Sequence, residues 1–112
     1  MKKDPKIFLQ HILESILDIE SYSRKLTKEK FFKKKETQDA IIRKIEIIGE
    51  AVKNLPIEFQ RKHSKIDWRQ IAGMRDMPIH EYFGVSLNVV WQTVKKDIPK
   101  LKKQVEELES KL

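Results

Sequence analysis

Four side chains with useful chemistry lie close together in the sequence: Arg75, Asp76, His80 and Tyr82. Histidine titrates near neutral pH, so His80 can take the proton from a ribose 2′-hydroxyl. The guanidinium of Arg75 is always charged and can hold a phosphate and stabilise the negative charge that it gains in the transition state. Attack by the 2′-hydroxyl would leave a 2′,3′-cyclic phosphate. This set of residues therefore indicates metal-free cleavage of RNA and not of DNA.

The same residue types also have a structural interpretation. A His-x-Tyr sequence at a helix end is commonly a packed, hydrogen-bonded pair, and an Arg-Asp dipeptide is commonly a surface ion pair. Other enzyme signatures are absent, since the sequence has no glycine-rich phosphate loop, nucleophile elbow or His-Glu-x-x-His helix. From the residue types alone, catalysis and simple packing both stay open.

The composition excludes several classes of site. The chain has no cysteine, and its three histidines, His11, His63 and His80, are far apart and lack zinc-like spacing. We therefore expect no metal ion and no cofactor, and we interpret His11 and His63 as structural. No stretch is apolar for long enough to cross a membrane, and the first residues lack the apolar run of a signal peptide. These features predict a soluble, cytoplasmic protein.

The formal net charge of +7 is unevenly distributed along the chain. Between Arg24 and Lys35 there are seven basic residues and one acidic residue, Glu29. Basic patches attract phosphate backbones by releasing counterions, although most charge runs are solvated helix faces. The asymmetry is typical of a protein that binds nucleic acid. If the partner is RNA, the candidate RNA-binding residues are Lys28, Lys30, Lys33, Lys34 and Lys35.

The spacing of apolar residues predicts an all-α fold in a single domain, residues 1–112. Glycine occurs only three times, and no stretch alternates in the manner of a strand. Helices are expected to start at Asp4-Pro5, near Thr37, and at Asp67, which forms a capping-box pattern with Gln70. We expect an antiparallel bundle of four to five helices, with coiled-coil-like packing inside the domain or across a dimer.

Apolar residues recur every three or four positions in the first and last helices and mark their buried faces. Gly84 is expected to end a helix and Ser86 to cap the next, while Pro99 should kink or break the last helix near Asp97. The residues assigned to the core are, in the first helix, Phe8, Leu9, Ile12, Leu13, Ile16, Leu17, Ile19, Tyr22 and Leu26; in the last, Trp91, Val94, Ile98, Leu101, Val105, Leu108 and Leu112; and between them Phe31, Phe32 and Trp68.

Taken together, several stretches of the sequence resemble one known family. Arg75-Asp76-x-x-x-His80 is similar to the Arg/His motif of HEPN domains, and the longer form ending in Tyr82 resembles the variant found in HepT-like toxins. The likeness covers nearly the whole chain, through the stretches Thr37–Arg43, Ile47–Ala51, Trp68–Arg75, Tyr82–Val85 and Val90–Pro99.

This resemblance implies a HEPN-like helical bundle that forms a homodimer or higher homo-oligomer and brings two Arg/His motifs into one cleft. It implies a metal-independent ribonuclease that is the toxin of a toxin–antitoxin pair. His80 would be the general base, Arg75 would hold the phosphate and Asp76 would position them. The implied partner is a minimal nucleotidyltransferase antitoxin, which would silence the toxin by adding AMP to Tyr82.

One residue departs from the family pattern: Pro78, where an ordinary apolar residue is usual. Proline removes a backbone donor and disfavours helical geometry at Met77, the residue before it. We therefore expect Arg75 and His80 to lie on two helical pieces joined at a kink.

Two other functions remain as alternatives. The chain could be a non-catalytic helical dimer that binds and regulates a nucleotidyltransferase. It could also be an RNA-binding protein without catalysis, whose affinity would fall steeply with salt while the RNA stayed uncut.

Overall fold

A computed structural model of the chain describes residues 4–74 and 85–112, and the regular secondary structure in this part is helical. The expected all-α class is therefore confirmed. None of the helices in these two ranges combines the length and the apolar character that a membrane span requires. The elements are, in chain order, α1 (Pro5–Ser23), α2 (Lys28–Lys33), α3 (Lys35–Asn54), α4 (Ile57–Lys62), α5 (Trp68–Gly73), α6 (Val85–Gln92), a π-helical turn (Thr93–Asp97) and α7 (Ile98–Ser110).

The centre of the fold is the packing of α1 against α3. Phe8, at the start of α1, shares a cleft with Asn54 at the end of α3. Asp18, towards the end of α1, instead pairs with Lys44 in the first half of α3. The two helices are therefore antiparallel, as expected for the bundle. The apolar side chains that they bury completely or almost completely are Leu9, Ile12, Ile16 and Ile19 of α1, and Ile41, Ile45, Ile48 and Val52 of α3.

The buried face of α1 agrees with the expected one at Leu9, Ile12, Ile16 and Ile19 and differs from it at two positions. The assignments of Leu17 and Tyr22 to the core are wrong, because their side chains are 47% and 40% exposed. In the last turn of α1 the buried position belongs to Ser23, whose hydroxyl donates to the carbonyl of Ile19 at 2.8 Å. This hydrogen bond satisfies the buried polar group within the helix itself.

A third buried face comes from the last helical stretch, which packs against α1 through the π-helical turn and α7. Lys102 of α7 reaches Glu20 of α1, with 3.0 Å between Nζ and Oε1. The expected apolar pattern holds as far as Leu108, which is buried. The assignment of Leu112 to the core is wrong: α7 ends at Ser110, and the Leu112 side chain is 49% exposed.

The irregularity expected near Asp97 takes the form of the π-helical turn. The N–H of Ile98 donates to the carbonyl of Thr93, five residues earlier, and Pro99 lies in the first turn of α7. Proline is tolerated in a first turn, where a backbone N–H would lack an intrahelical partner. The wide π-helical turn thus lets the chain remain helical past Pro99.

The short helix α2 is held in place by one aromatic side chain. Phe31 is completely buried, and its ring centroid lies 5.2 Å from that of Trp91 and 6.0 Å from that of the half-buried Phe32. Thr27 caps the helix by accepting from the N–H of Lys30. The side-chain amide of Gln38 donates to the carbonyl of Phe31 at 2.8 Å. Core packing and hydrogen bonds therefore both fix α2 beside α3.

Replacement of Phe31 by alanine tests this dependence on one ring. Because the ring is completely buried, we expect Phe31→Ala to lower the free energy of unfolding by about 3–5 kcal/mol, measured by urea denaturation. Phe32→Ala is the matched control and should cost less, since Phe32 is only half-buried. Equal losses in the two variants would contradict the assignment of Phe31 as the anchor of α2.

Candidate active site

The residues expected to carry the chemistry lie outside the described part of the chain. Arg75, Asp76, His80 and Tyr82 all belong to the segment between Met74 and Val85, as do Pro78 and Gly84. The expected roles of the four side chains, the kink at Pro78 and the helix end at Gly84 therefore stay predictions. The structure does describe the helices on both sides of this segment, α5 before it and α6 after it.

Helix α5 precedes the segment, and its N-terminus has the structure that the sequence predicts. The carboxylate of Asp67 accepts from the N–H of Gln70 at 3.1 Å, which confirms the predicted N-cap. The indole N–H of Trp68 donates to the carbonyl of His63 at 3.0 Å. Trp68 and Ile71 are buried where α5 packs on α3. The helix that precedes Arg75 is thus fixed at its start, along its buried face and against a long helix.

Described residues on both sides of the segment belong to the core. Met74, directly before the segment, is buried, as are Leu87 and Val90 of α6, directly after it. The predicted N-cap at Ser86 is wrong, because α6 already begins at Val85 and includes Ser86 as its second residue. The helix therefore starts immediately at the end of the segment.

A polar cleft of about 160 Å³ lies next to Met74, between α5 and the start of α7. It carries charges of both signs, so it has no clear preference for a phosphate or for a cation. Its lining consists of Lys65, Asp67, Gln70, Ile71, Met74, Asp97, Lys100, Leu101 and Gln104.

Part of the predicted RNA-binding set lies in a second cleft, which we call the basic cleft, at the turn between α1 and α2. It has a volume of about 390 Å³ and is lined by Ser21, Tyr22, Arg24, Lys25, Leu26, Lys30 and Lys34.

Of the five candidate lysines, Lys30 and Lys34 are therefore brought together, whereas Lys28, Lys33 and Lys35 do not line this cleft. Lys28 instead places its Nζ 5.9 Å from the centre of the Phe32 ring.

Tyr22 lines the basic cleft and is not among the site residues predicted from the sequence. Its position three residues after Ile19 is the spacing of a buried helical face, and this spacing predicts a core position for Tyr22. The neighbouring Ser23 is the sequence signal for the other orientation of the helix. A buried serine can hydrogen-bond its hydroxyl to a carbonyl of its own helix, whereas the hydroxyl of a buried tyrosine needs a partner outside the helix.

Two ion pairs set the charge balance close to the basic cleft. Asp18 lies 2.9 Å from the Nζ of Lys44, and Glu20 lies 3.0 Å from the Nζ of Lys102. The hydrogen bond from Lys44 to Asp18 raises the pKa of the Lys44 ammonium above its ordinary value of 10.5. Both acidic residues in the last turns of α1 thus have a cation of their own, on α3 or α7. The cations of the basic cleft are therefore not needed to neutralise Asp18 and Glu20.

Comparison with known proteins defines the class of protein to which this fold and motif belong. A family model described as ribonuclease HepT-like matches residues 12–108. The chain therefore belongs to the family of HepT-like ribonucleases, which confirms the resemblance noted in its motifs. No solved structure matches the chain significantly.

Three relatives illustrate the family. A protein of Thermococcus cleftensis named "Probable ribonuclease HepT" is 51% identical over 108 residues, which cover 96% of this chain and 98% of that protein. A provisionally named RNase of Caldanaerobacter subterraneus is 49% identical over 106 residues, 95% of each chain. A protein of Methanocaldococcus jannaschii, named as a gamma-glutamylcyclotransferase and provisionally as an RNase, is 57% identical over 105 residues; these cover 94% of this chain but only 47% of that longer protein.

The N-cap of α5 can be tested by replacing its acceptor. Asp67→Ala removes the side chain that accepts from Gln70, and we expect the free energy of unfolding to fall by about 1 kcal/mol. Asp67→Asn retains an acceptor oxygen and should stay close to the wild type. Thermal or urea unfolding measures both variants, and equal stability of the alanine and asparagine variants would show that the cap contributes nothing.

Proposed function

We propose that this chain is a metal-independent endoribonuclease that acts as the toxin of a toxin–antitoxin pair. The observation that carries the proposal is the family match over residues 12–108, which spans the segment from Arg75 to Tyr82. The names of the three relatives support ribonuclease activity, since each name contains the word ribonuclease or RNase. The residue types in the segment supply a chemistry for it.

In the proposed reaction His80 takes the proton from the 2′-hydroxyl next to the scissile phosphate. The 2′-oxygen attacks the phosphorus, a new P–O bond forms, and the bond to the 5′-oxygen of the next nucleotide breaks. The leaving oxygen takes up a proton, so the products are a 2′,3′-cyclic phosphate and a 5′-hydroxyl. Arg75 binds the phosphate oxygens and stabilises the charge that they gain, while Asp76 positions the arginine and histidine.

The proposal includes a partner and a means of control. A minimal nucleotidyltransferase, acting as the antitoxin, would transfer AMP from ATP to the hydroxyl of Tyr82 with release of pyrophosphate. The added nucleotide brings a negative charge and a bulky group within two residues of His80, so it would compete with RNA for the same cations. Assembly of the chain as a homodimer would bring two such motifs together. The proposed compartment is the cytoplasm, where the chain would encounter both RNA and the nucleotidyltransferase.

The catalytic role of His80 is tested with purified wild-type chain and His80→Ala, each incubated with cellular RNA in the presence of a chelator. We expect the wild type to produce 2′,3′-cyclic phosphate ends and His80→Ala to be slower by about 10²–10⁴-fold. DNA of the same sequence should stay intact, because it has no 2′-hydroxyl. If unmodified wild type leaves RNA uncut while both chains are folded, the ribonuclease proposal is wrong and the non-catalytic dimer is favoured.

Control by AMP transfer is tested at the acceptor atom. Incubation with the nucleotidyltransferase and ATP should add one AMP to the wild type and stop its cleavage of RNA. Tyr82→Phe lacks the acceptor oxygen, so we expect no added mass in the intact-protein mass spectrum and cleavage that persists. Modification of Tyr82→Phe to the same extent as the wild type would place the acceptor elsewhere and contradict this part of the proposal.

A further inference from the structure

From the basic cleft we infer a subsite for single-stranded RNA, in which the exposed ring of Tyr22 stacks on an unpaired base and the surrounding cations bind the flanking phosphates. The inference rests on the proposed function, because it assigns a place to the RNA substrate away from the Arg75–Tyr82 segment. The cations concerned are Arg24, Lys25, Lys30 and Lys34.

The charge of the basic cleft is the first argument. Its lining contains four cations and no acidic residue within the part of the chain that the structure describes. Three other clefts formed by described residues all include carboxylates: Glu46 and Glu50 in one, Asp67 and Asp97 in another, and Glu107 in the third. A groove with cations alone suits a polyanion, since each bound phosphate releases counterions.

The exposed aromatic ring is the second argument, and it distinguishes nucleic acid from other polyanions. Tyr22 is 40% exposed, and the half-buried Leu26 lies beside it in the same cleft. Ser23 takes the buried position in that turn, so the core does not enclose Tyr22. Aromatic rings next to cations bind single strands because every base has a face that can stack. A paired duplex keeps its bases stacked on each other and offers none to Tyr22.

The cleft is also built before any ligand arrives. The N–H of Leu26 donates to the carbonyl of Ser23 at 3.0 Å and closes the turn after α1. The cap at Thr27 and the buried ring of Phe31 fix the start and the inner face of α2. Lys30 lies on this helix, so its backbone is fixed on the cleft side before RNA binds. Such preorganisation reduces the entropy lost on binding.

The size of the cleft sets how much RNA it can hold. A volume of about 390 Å³ falls near the lower end of the range of about 300–1,000 Å³ typical of small-ligand sites. One base with its neighbouring phosphates is therefore the natural occupant. A longer strand would extend beyond the cleft onto other surfaces of the protein. Cleavage would then take place at a separate site.

The test measures binding of a labelled single-stranded RNA of about 12 nucleotides by fluorescence anisotropy, with the full chain carrying His80→Ala so that the RNA survives. In this background we expect Tyr22→Leu to weaken binding by about 5- to 150-fold. Tyr22→Phe keeps the ring and should bind like the parent chain. Binding of the corresponding RNA duplex should not change with Tyr22→Leu.

The contribution of charge is separated by salt titration. Lys30→Ala with Lys34→Ala should reduce the slope of log affinity against log salt by about 1.4, or 0.7 for each lost phosphate contact on a single strand. The matched control is Lys53→Ala with Lys103→Ala, which removes two exposed lysines that do not line the cleft. An equal reduction of the slope by the two pairs, or unchanged binding by Tyr22→Leu, would overturn the inference. Preferential binding of the duplex would overturn it as well.

A cleavage assay keeps this inference distinct from the proposed function. In the chain with an intact His80, Tyr22→Leu should raise KM for single-stranded RNA while kcat stays close to that of the wild type. Cleavage by the wild type that is independent of Tyr22 would overturn the subsite and leave the ribonuclease in place. Binding that depends on Tyr22, without cleavage by the wild type, would support the subsite and overturn the ribonuclease.

Discussion

The antiparallel contact between α1 and α3 is the interaction on which the rest of the structure depends. It buries branched aliphatic side chains along both helices, and complete burial of one such side chain stabilises the fold by about 1.5–3 kcal/mol. Three further helices attach to this pair: α5 and α2 pack on α3, and α7 packs on α1. Helix α5 ends at Gly73, two residues before Arg75. Because α5 packs on α3, the contact between α1 and α3 also sets the position of the helix that precedes the expected catalytic residues.

The basic cleft shows how the core determines a surface feature. A helix of six residues such as α2 is too short to be stable in isolation, because nucleating a helix costs more than a few hydrogen bonds return. It forms here because Phe31 is buried against Trp91 and because Thr27 and Gln38 satisfy its backbone groups. The position of Lys30 beside the last turn of α1 therefore depends on the burial of its neighbour. A mutation in the core can therefore change the shape of the basic cleft without replacing any of its cations.

Local signals predicted more of this protein than long-range ones. The cap at Asp67 needs only residues three apart, and both it and the helical class follow directly from the sequence. The exposure of Tyr22 depends on which side of α1 its neighbours cover, which periodicity does not specify. Likewise, the sequence predicted an irregularity before Pro99 but not the π-helical turn that accommodates it. For the site, the sequence identified the candidate residues Arg75 and His80, and their arrangement is not described by the structure.

In the proposed enzyme, the division between binding and chemistry has a physical basis. If the reaction uses no metal ion, as proposed, the negative charge that develops on the phosphate oxygens would be stabilised by the guanidinium of Arg75. Contacts away from the reacting phosphate can then contribute by binding the strand equally well before and in the transition state, which lowers KM and leaves kcat unchanged. Tyr22 lies on α1, and the helix that precedes Arg75 packs on α3. Because α1 packs directly on α3, a base held at Tyr22 and a phosphate held at Arg75 would be positioned relative to the same core.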